Sequence, residues 1–526
     1  MVNENVHTVG IFADRAFDDK DTDTLQKIAH DCLEWVKSGE YTLLEKGILA
    51  YHGATSYSNY IHLKYKGALR YSDDMNNEND FEMCLLLFRL SLENLTAYQE
   101  EADLNEGSEE SQYFSTYLLM AYTNYANLLQ KCGRLMKALS YLKVGVGRDF
   151  PIAIGNFAGF LMDYATFDYD KGHQSVFANE SYQLLKAVLD FENIEQYAYK
   201  HYEGLVAKLE RFYPIEFLKE PYEFEDYSLG DSKEEVGYRK WCLENTFFLN
   251  TLNDAFPYSV SATDILHLPN IVAKIDEGPK FHGLFNQIKQ EFVSARYMVH
   301  DALSSEGAHF SDKDVHLVNT LDYPVYGISI EKMKYSYRSL YSLIDRIAFF
   351  VNEYFEIGIK ERDVSYRSIW QDKIRKGKNS YNLKVNLKSR MTGEETFNLP
   401  LIGLYWLCKD IGKQKIEHHY IEPAIEHISK IRHHLEHRYL KVHDSVLYPI
   451  TTESWENRDD PLAYSITVDE FKDAAIRLLA YVREGIILLS MAVHLEELRK
   501  RKDKDSDEII MPMSMDRYDD DWKRLF

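Results

Sequence analysis

The stretch SIEKMKYSYRSLYSLIDRIAFFVNEYFEIG, residues 329–358, sets the frame for what surrounds it. Leu340, Leu343, Ile347, Phe350 and Tyr354 recur at three- and four-residue spacing and share one stripe of a helix. No proline interrupts the pattern, so one long amphipathic helix is predicted. PKFHGLFNQIKQEFVSARYMVHDAL (279–303) has the same period upstream. Downstream come NLPLIGLYWLCKDIG (398–412), EPAIEHISKIRHHLEHRYLKVHD (422–444) and the long apolar run 467–502. Pro423 suits a helical first turn, and Thr467 with Glu470 spells a capping box. Four helices after residue 330, with a fifth packed beside them, predict a bundle over 278–502. A basic insertion, 360–392, interrupts it.

Outward from the bundle, residues 1–215 read as paired helices. In YTNYANLLQKCGRLMKALSYLKVGVGRDFP (122–151) the small residues Ala126 and Ala138 fall where helices approach closely. Gly133 falls at the turn and Pro151 after the second helix, with Tyr122, Tyr125, Leu129, Tyr141 and Leu142 filling between. The unit resembles a degenerate tetratricopeptide repeat, with Tyr122 in place of the usual Trp and Gly145 in place of an Ala. Such stacks bind a protein or peptide along a concave face. Residues 216–277 show no clear period and are expected as a connector, and 503–526 as an acidic tail. The expected fold class is all-α, in two or three domains.

The composition narrows the function classes. A net charge of −23 opposes non-specific coating of nucleic acid but leaves room for a local basic groove. One such region is 360–390, with ten Lys/Arg against three Asp/Glu. Lys373, Arg375, Lys376 and Lys378 are its candidate RNA-binding residues, with Tyr366, Trp370 and Tyr381 available to stack on bases. The five cysteines are scattered without a CxxC pair, which argues against a zinc ribbon or disulfide framework. The N-terminus lacks a basic start followed by an apolar run, and Arg483 and Glu484 break the most apolar segment. A cytoplasmic protein without membrane contact is the expectation. No GxxxxGK run points to a nucleotide-driven motor.

The chemistry concentrates in KIRHHLEHRYLKV, 430–442. On a helix at ~100° per residue, Ile428, Ile431, Leu435, Tyr439 and Val442 span an arc of roughly 80°, the expected buried seam. Arg432, His433, Glu436 and His437 fall in a neighbouring arc of about 140°. Three readings follow. His433, Glu436 and His437 spell H-x-x-E-H, the order of an inverzincin-type zinc hydrolase, but no third ligand is evident downstream. The same residues also suit the wet face of a catalytically silent scaffold that dimerises through the bundle. Third, Arg432 and His437 form R-x4-H on the third of four bundle helices.

That arrangement resembles the HEPN superfamily of ribonucleases, and within it a group with N-terminal helical repeats. One departure is His433, where asparagine often follows the arginine. The resemblance implies metal-independent cutting of RNA without a cofactor, in a toxin or antiviral-defence setting. It also implies a homodimer whose two motifs build one cleft. Histidine suits removal of the ribose 2′-OH proton, and a guanidinium suits the charge that develops on the phosphate. His433 is expected to orient the phosphate, Glu436 to tune its histidine neighbours, and Asp345 on the first bundle helix to support them.

Overall fold

The computed structural model describes residues 4–502 apart from 66–75, 103–106, 193, 274–276, 306, 374–380, 393–396, 412–414, 417–418, 421, 423–424 and 446–461, together with 515, 517–518, 520 and 523. Pro423 and most of the acidic tail therefore lie outside the described residues. The N-terminal region comprises α1 (Glu4–Asp18), α2 (Thr22–Lys37), α3 (Leu43–Lys64), α4 (Asn76–Glu101), α5 (Glu109–Lys131), α6 (Leu135–Val146), α7 (Pro151–Phe167), α8 (Lys171–Leu189) and α9 (Gln196–Phe212). Each packs on its neighbour in the chain, as in a helical-repeat array. Sequence signals place the ends: Thr42 and Glu45 close a capping box on α3, Ser108 caps α5, and Pro151 opens α7. Ala126 and Ala138 are fully buried, and the rings of Tyr122 and Tyr141 stack at 5.4 Å.

The segment 216–277 holds α10 (Ile215–Lys219), α11 (Lys233–Glu244) and α12 (Leu252–Ala255), and buries Phe247, Phe248, Leu249 and Leu266. Polar ties hold it rather than an amphipathic stripe. The Arg483 guanidinium donates to Phe248 O at 2.7 Å, Asn250 O at 3.1 Å and the Asp254 carboxylate at 2.6 Å. Arg296 grips Asp264 through two bonds of 2.8 and 2.7 Å. Such ties join residues distant in sequence, so local periodicity carries no trace of them.

The C-terminal helices are α13 (Lys280–Ser304), α14 (Ile328–Tyr354), α15 (Val385–Thr392), α16 (Leu399–Ile411), α17 (Ile425–His437) and α18 (Val468–Lys502). α14 packs on α13, α17 and α18, with α16 on the other flank of α18. The predicted stripe of α14 is buried in full, and Thr467 and Glu470 make the expected capping box, with Glu470 accepting from Thr467 N at 2.7 Å. α18 is long and apolar enough to cross a membrane, yet 83% of its apolar window is buried, and it is the central core helix. The fold is helical, with three small two-stranded sheets among the described residues: β1 (Gln371–Lys373) with β2 (Tyr381–Leu383), β3 (Lys415–Ile416) with β4 (His419–Tyr420), and β5 (Tyr439–His443) with β6 (Ala463–Thr467).

One of these sheets corrects the sequence reading. The helix expected to run through residue 442 ends at His437, and Tyr439–His443 is a strand, β5, paired in parallel with β6 (Ala463–Thr467). Val442 O also accepts from Val325 N at 2.7 Å, so β5 is held on both edges. Tyr439 and Val442 favour a pleated, half-buried setting over a helical last turn. Ile428, Ile431 and Leu435 are buried as expected, but Val442 is buried through the strand and Tyr439 is 37% exposed.

The two regions share one apolar core and a buried ionic network. Arg134, at the head of α6, forks onto Glu484 of α18 at 2.9 and 2.8 Å and also bonds Asp410 of α16. Arg89 of α4 reaches Asp410 at 3.2 Å and the Tyr125 hydroxyl at 2.7 Å. Lys409 of α16 bonds Glu82 of α4. Buried charges persist only when paired in this way. At Gly133, whose φ is +70°, a Cβ would lie 2.3 Å from Leu399 O and 2.6 Å from Gly403 N, so the α5–α6 turn seats directly on α16.

Candidate active site at the end of α17

α17 is fixed by α14. The Tyr337 hydroxyl donates to Ile428 O at 2.9 Å, and Arg338 donates to Leu435 O. With Ile428, Ile431 and Leu435 buried, helical geometry turns the next positions outward. Arg432 is half-buried, its guanidinium carbon 4.7 Å from the centre of the Tyr341 ring on α14. This cation–π seat orients a planar cation without neutralising it. His433 and His437 are exposed, one turn apart, with ring centres at 5.5 Å. His437 is the last helical residue, so its ring stands where the chain turns into β5.

The remaining expected residues stand at varying distance. Glu436 is exposed and lies 3.7 Å from Arg338, an ion pair on the helix flank. Asp345 accepts from the Tyr366 backbone N–H at 3.2 Å and thereby helps hold the start of the basic insertion. Burial raises the Tyr341 phenol; Arg432 opposes that shift and Asp345 adds to it, so both charges face this tyrosine. Asp345 therefore belongs to the surroundings of the Arg432 seat. The H-x-x-E-H residues do not form a three-donor metal group, and no such group occurs among the described residues.

The basic insertion departs from expectation. Arg375, Lys376 and Lys378 lie outside the described residues, as do the side chains of Lys373, on β1 (Gln371–Lys373), and Tyr381, on β2 (Tyr381–Leu383). Tyr366 and Trp370 do not offer stacking faces. Both are buried, with the Tyr366 hydroxyl donating to Leu404 O at 2.9 Å and Trp370 packed edge-on against Tyr405. The flanking lysines suggested rings open to bases, but the rings cover the flank of α16. Arg390 is also engaged, on Glu496 at 3.0 and 2.8 Å.

Sequence reasoning missed two features beside the motif. Tyr341 carries Arg432 and falls one residue past Leu340 of the buried stripe, a signal legible only once the partner helix is placed. The loop between α13 and α14 exposes Phe310, Val315, Leu317, Val318 and Tyr323, with Val318 86% exposed. It is tied to β5 through Lys441–Asp322 at 2.6 Å and the Tyr326–Tyr439 hydroxyl pair at 3.1 Å. An apolar surface thus lies along the strand that leaves the histidines.

Residues 272–496 match the model of a family described as LA2681-like HEPN. The match takes in α13, α14, α17 and the motif, and it supports placing the C-terminal region in the HEPN superfamily. No curated protein and no solved structure matches the chain.

Proposed function

We propose that the HEPN-type region is a metal-independent endoribonuclease, with Arg432 and His437 as its catalytic pair. The observation that carries this is the arrangement of the last two turns of α17: a guanidinium seated on Tyr341 beside two solvent-facing imidazoles. The His437 imidazole takes the proton of the ribose 2′-OH, and the 2′-oxygen attacks phosphorus. The bond to the 5′-oxygen breaks, leaving a 2′,3′-cyclic phosphate and a 5′-hydroxyl that takes up a proton. Arg432 holds the non-bridging oxygens as charge builds on them. His433 positions the phosphate, while Glu436, through Arg338, and Asp345, beside Tyr341, steady the site. DNA lacks the nucleophile and is inert.

A second copy of the chain completes the cleft, bringing a second imidazole to protonate the leaving oxygen. The exposed apolar loop beside β5 is suited to that contact, because apolar surface left in water favours association. The helical repeats are the place for a protein or peptide partner, and a toxin or defence role suits an enzyme restrained that way. The test is incubation of the full chain with total RNA, with tRNA and with a DNA copy. Arg432→Ala is expected to lower the cleavage rate about 10²–10³-fold. His437→Ala is expected to lower it about 10²–10⁴-fold. EDTA is expected to change nothing. Unchanged rates in both variants, or no RNA cleavage at all, would return the protein to the scaffold reading, and loss of activity in EDTA to the zinc one.

A further inference from the structure

A turn near the start of the basic insertion, 365–368, is locked by reciprocal bonds. Ser365 N donates to Ser368 Oγ at 2.8 Å, and Ser368 N donates to Ser365 Oγ at 3.1 Å. Tyr366 pins the turn to two helices, its hydroxyl donating to Leu404 O of α16 at 2.9 Å and its N–H to Asp345 of α14 at 3.2 Å. Ile369 and Trp370, directly after it, are buried. Arg367 is the exception. It is exposed, and it has no hydrogen-bond or ion-pair partner among the described residues.

Other arginines around it are engaged: Arg346 with Glu291 at 3.1 Å, Arg362 with Asp363 at 3.7 Å and Arg390 with Glu496 at 2.8 Å. A guanidinium is charged at every physiological pH, and one that holds nothing in the fold is available to an external anion. Arg432 is in the same condition: it rests on the Tyr341 ring and has no ion pair among the described residues. The two cations meet around one carboxylate. Asp345 bonds the amide next to Arg367 and also faces Tyr341 together with Arg432. Burial pushes the Cys408 thiol of α16 up; of the charges that reach it, Arg367 opposes that shift, while Asp345 and Asp410 add to it. Asp345 forms an ion pair with neither arginine, so both charges remain for a ligand.

We propose that Arg367 is a further substrate-binding residue of the α17 site, holding the RNA phosphate next to the one on Arg432. The locked turn presents its guanidinium at a fixed place on the surface, so little order is lost when the strand arrives. Arg367 touches neither the attacking 2′-oxygen nor the leaving 5′-oxygen, and it binds ground state and transition state alike. A guanidinium also suits a phosphate by shape, since its planar fork matches two phosphate oxygens. That the neighbouring phosphate is the scissile one rests on the ribonuclease reading; the pairing of two arginines on one strand is measured without any cutting.

The test titrates the full chain with a fluorescent single-stranded 2′-deoxy oligonucleotide, which lacks the nucleophile, over a series of salt concentrations. Arg367→Ala is expected to weaken binding about tenfold at low salt and to lower the log–log salt slope by about 0.7, the share of one phosphate contact. Arg432→Ala is expected to lower the slope by a similar step, and the double variant by about twice as much. Arg367→Lys is expected to keep most of the slope. Arg211→Ala, at an exposed arginine of α9, is expected to leave it unchanged. The melting curve of Arg367→Ala is expected to stay in place. In RNA cleavage, Arg367→Ala is expected to raise KM about tenfold with kcat unchanged, as lost uniform binding does. An unchanged slope in Arg367→Ala, an equal loss in Arg211→Ala, a fall in kcat in place of the rise in KM, or no binding of the strand by wild type would overturn the assignment. The expected slope changes without any RNA cleavage would keep the two-arginine track and sink the ribonuclease reading.

Discussion

Single residues here derive their roles from a neighbour on another helix. Arg432 is an exposed-face arginine by helical position, and the Tyr341 ring beneath it makes it a fixed cation. His52 shows the same dependence elsewhere. It sits on α3 beside Tyr117, and burial, aided by the charge of His7, lowers its pKa to about 4. The sign of the pH effect follows. An unfolded histidine protonates near 6.5, so the unfolded state binds more protons between about 6.5 and 4. The contribution of His52 is therefore present above that window and lost as pH falls through it, with a limiting slope of ~1.4 kcal/mol per pH unit. The unfolding free energies of wild type and His52→Phe, compared from pH 7 to pH 4.5, are expected to converge or cross on acidification. A constant difference would refute the assignment.

At the scale of elements, contacts between backbones decide which helices meet. Gly403 on α16 faces Gly133, and a Cβ at Gly403 would lie 2.3 Å from Gly133 O. A backbone atom has no rotamer with which to yield. Gly403→Ala is thus expected to cost about 1–3 kcal/mol in denaturant unfolding, the range for overpacking, although alanine is the better helix former. A neutral or stabilising result would show that the α5–α6 turn is not seated as described. The α17–β5 junction belongs to this scale too. Tyr439 to Val442 continue the apolar period of α17, yet the strand wins because Ala463–Thr467 and Val325 offer it partners on both edges. Periodicity alone cannot weigh partners that arrive from more than twenty residues away.

Across the whole molecule, the ionic network ties the N-terminal helices to the bundle, and the two are expected to unfold together. Arg134 is 1% exposed and joins α6 to both α16 and α18. Arg134→Ala leaves Glu484 and Asp410 short of a counter-charge in a dry interior, and is expected to cost about 3–5 kcal/mol. Combining Arg134→Met with Glu484→Gln is expected to recover part of that loss, because the uncompensated charge is reduced. A small effect of Arg134→Ala on global unfolding, or two separated transitions in the wild type, would mean that the halves fold independently.

The helical class, the long stripe of α14, the capping box of α18 and the R-x4-H motif were all legible in the chain. Each is a matter of residue spacing along one helix, and helix geometry is local. The Tyr341 seat, the burial of Tyr366 and Trp370, the strand after His437 and the ionic junction were not. Each depends on which distant group meets a side chain once the core closes, and no local pattern encodes that meeting. Spacing along the helix determined which residues can share a face; tertiary packing decided which of those faces meets water, a ring or a counter-charge.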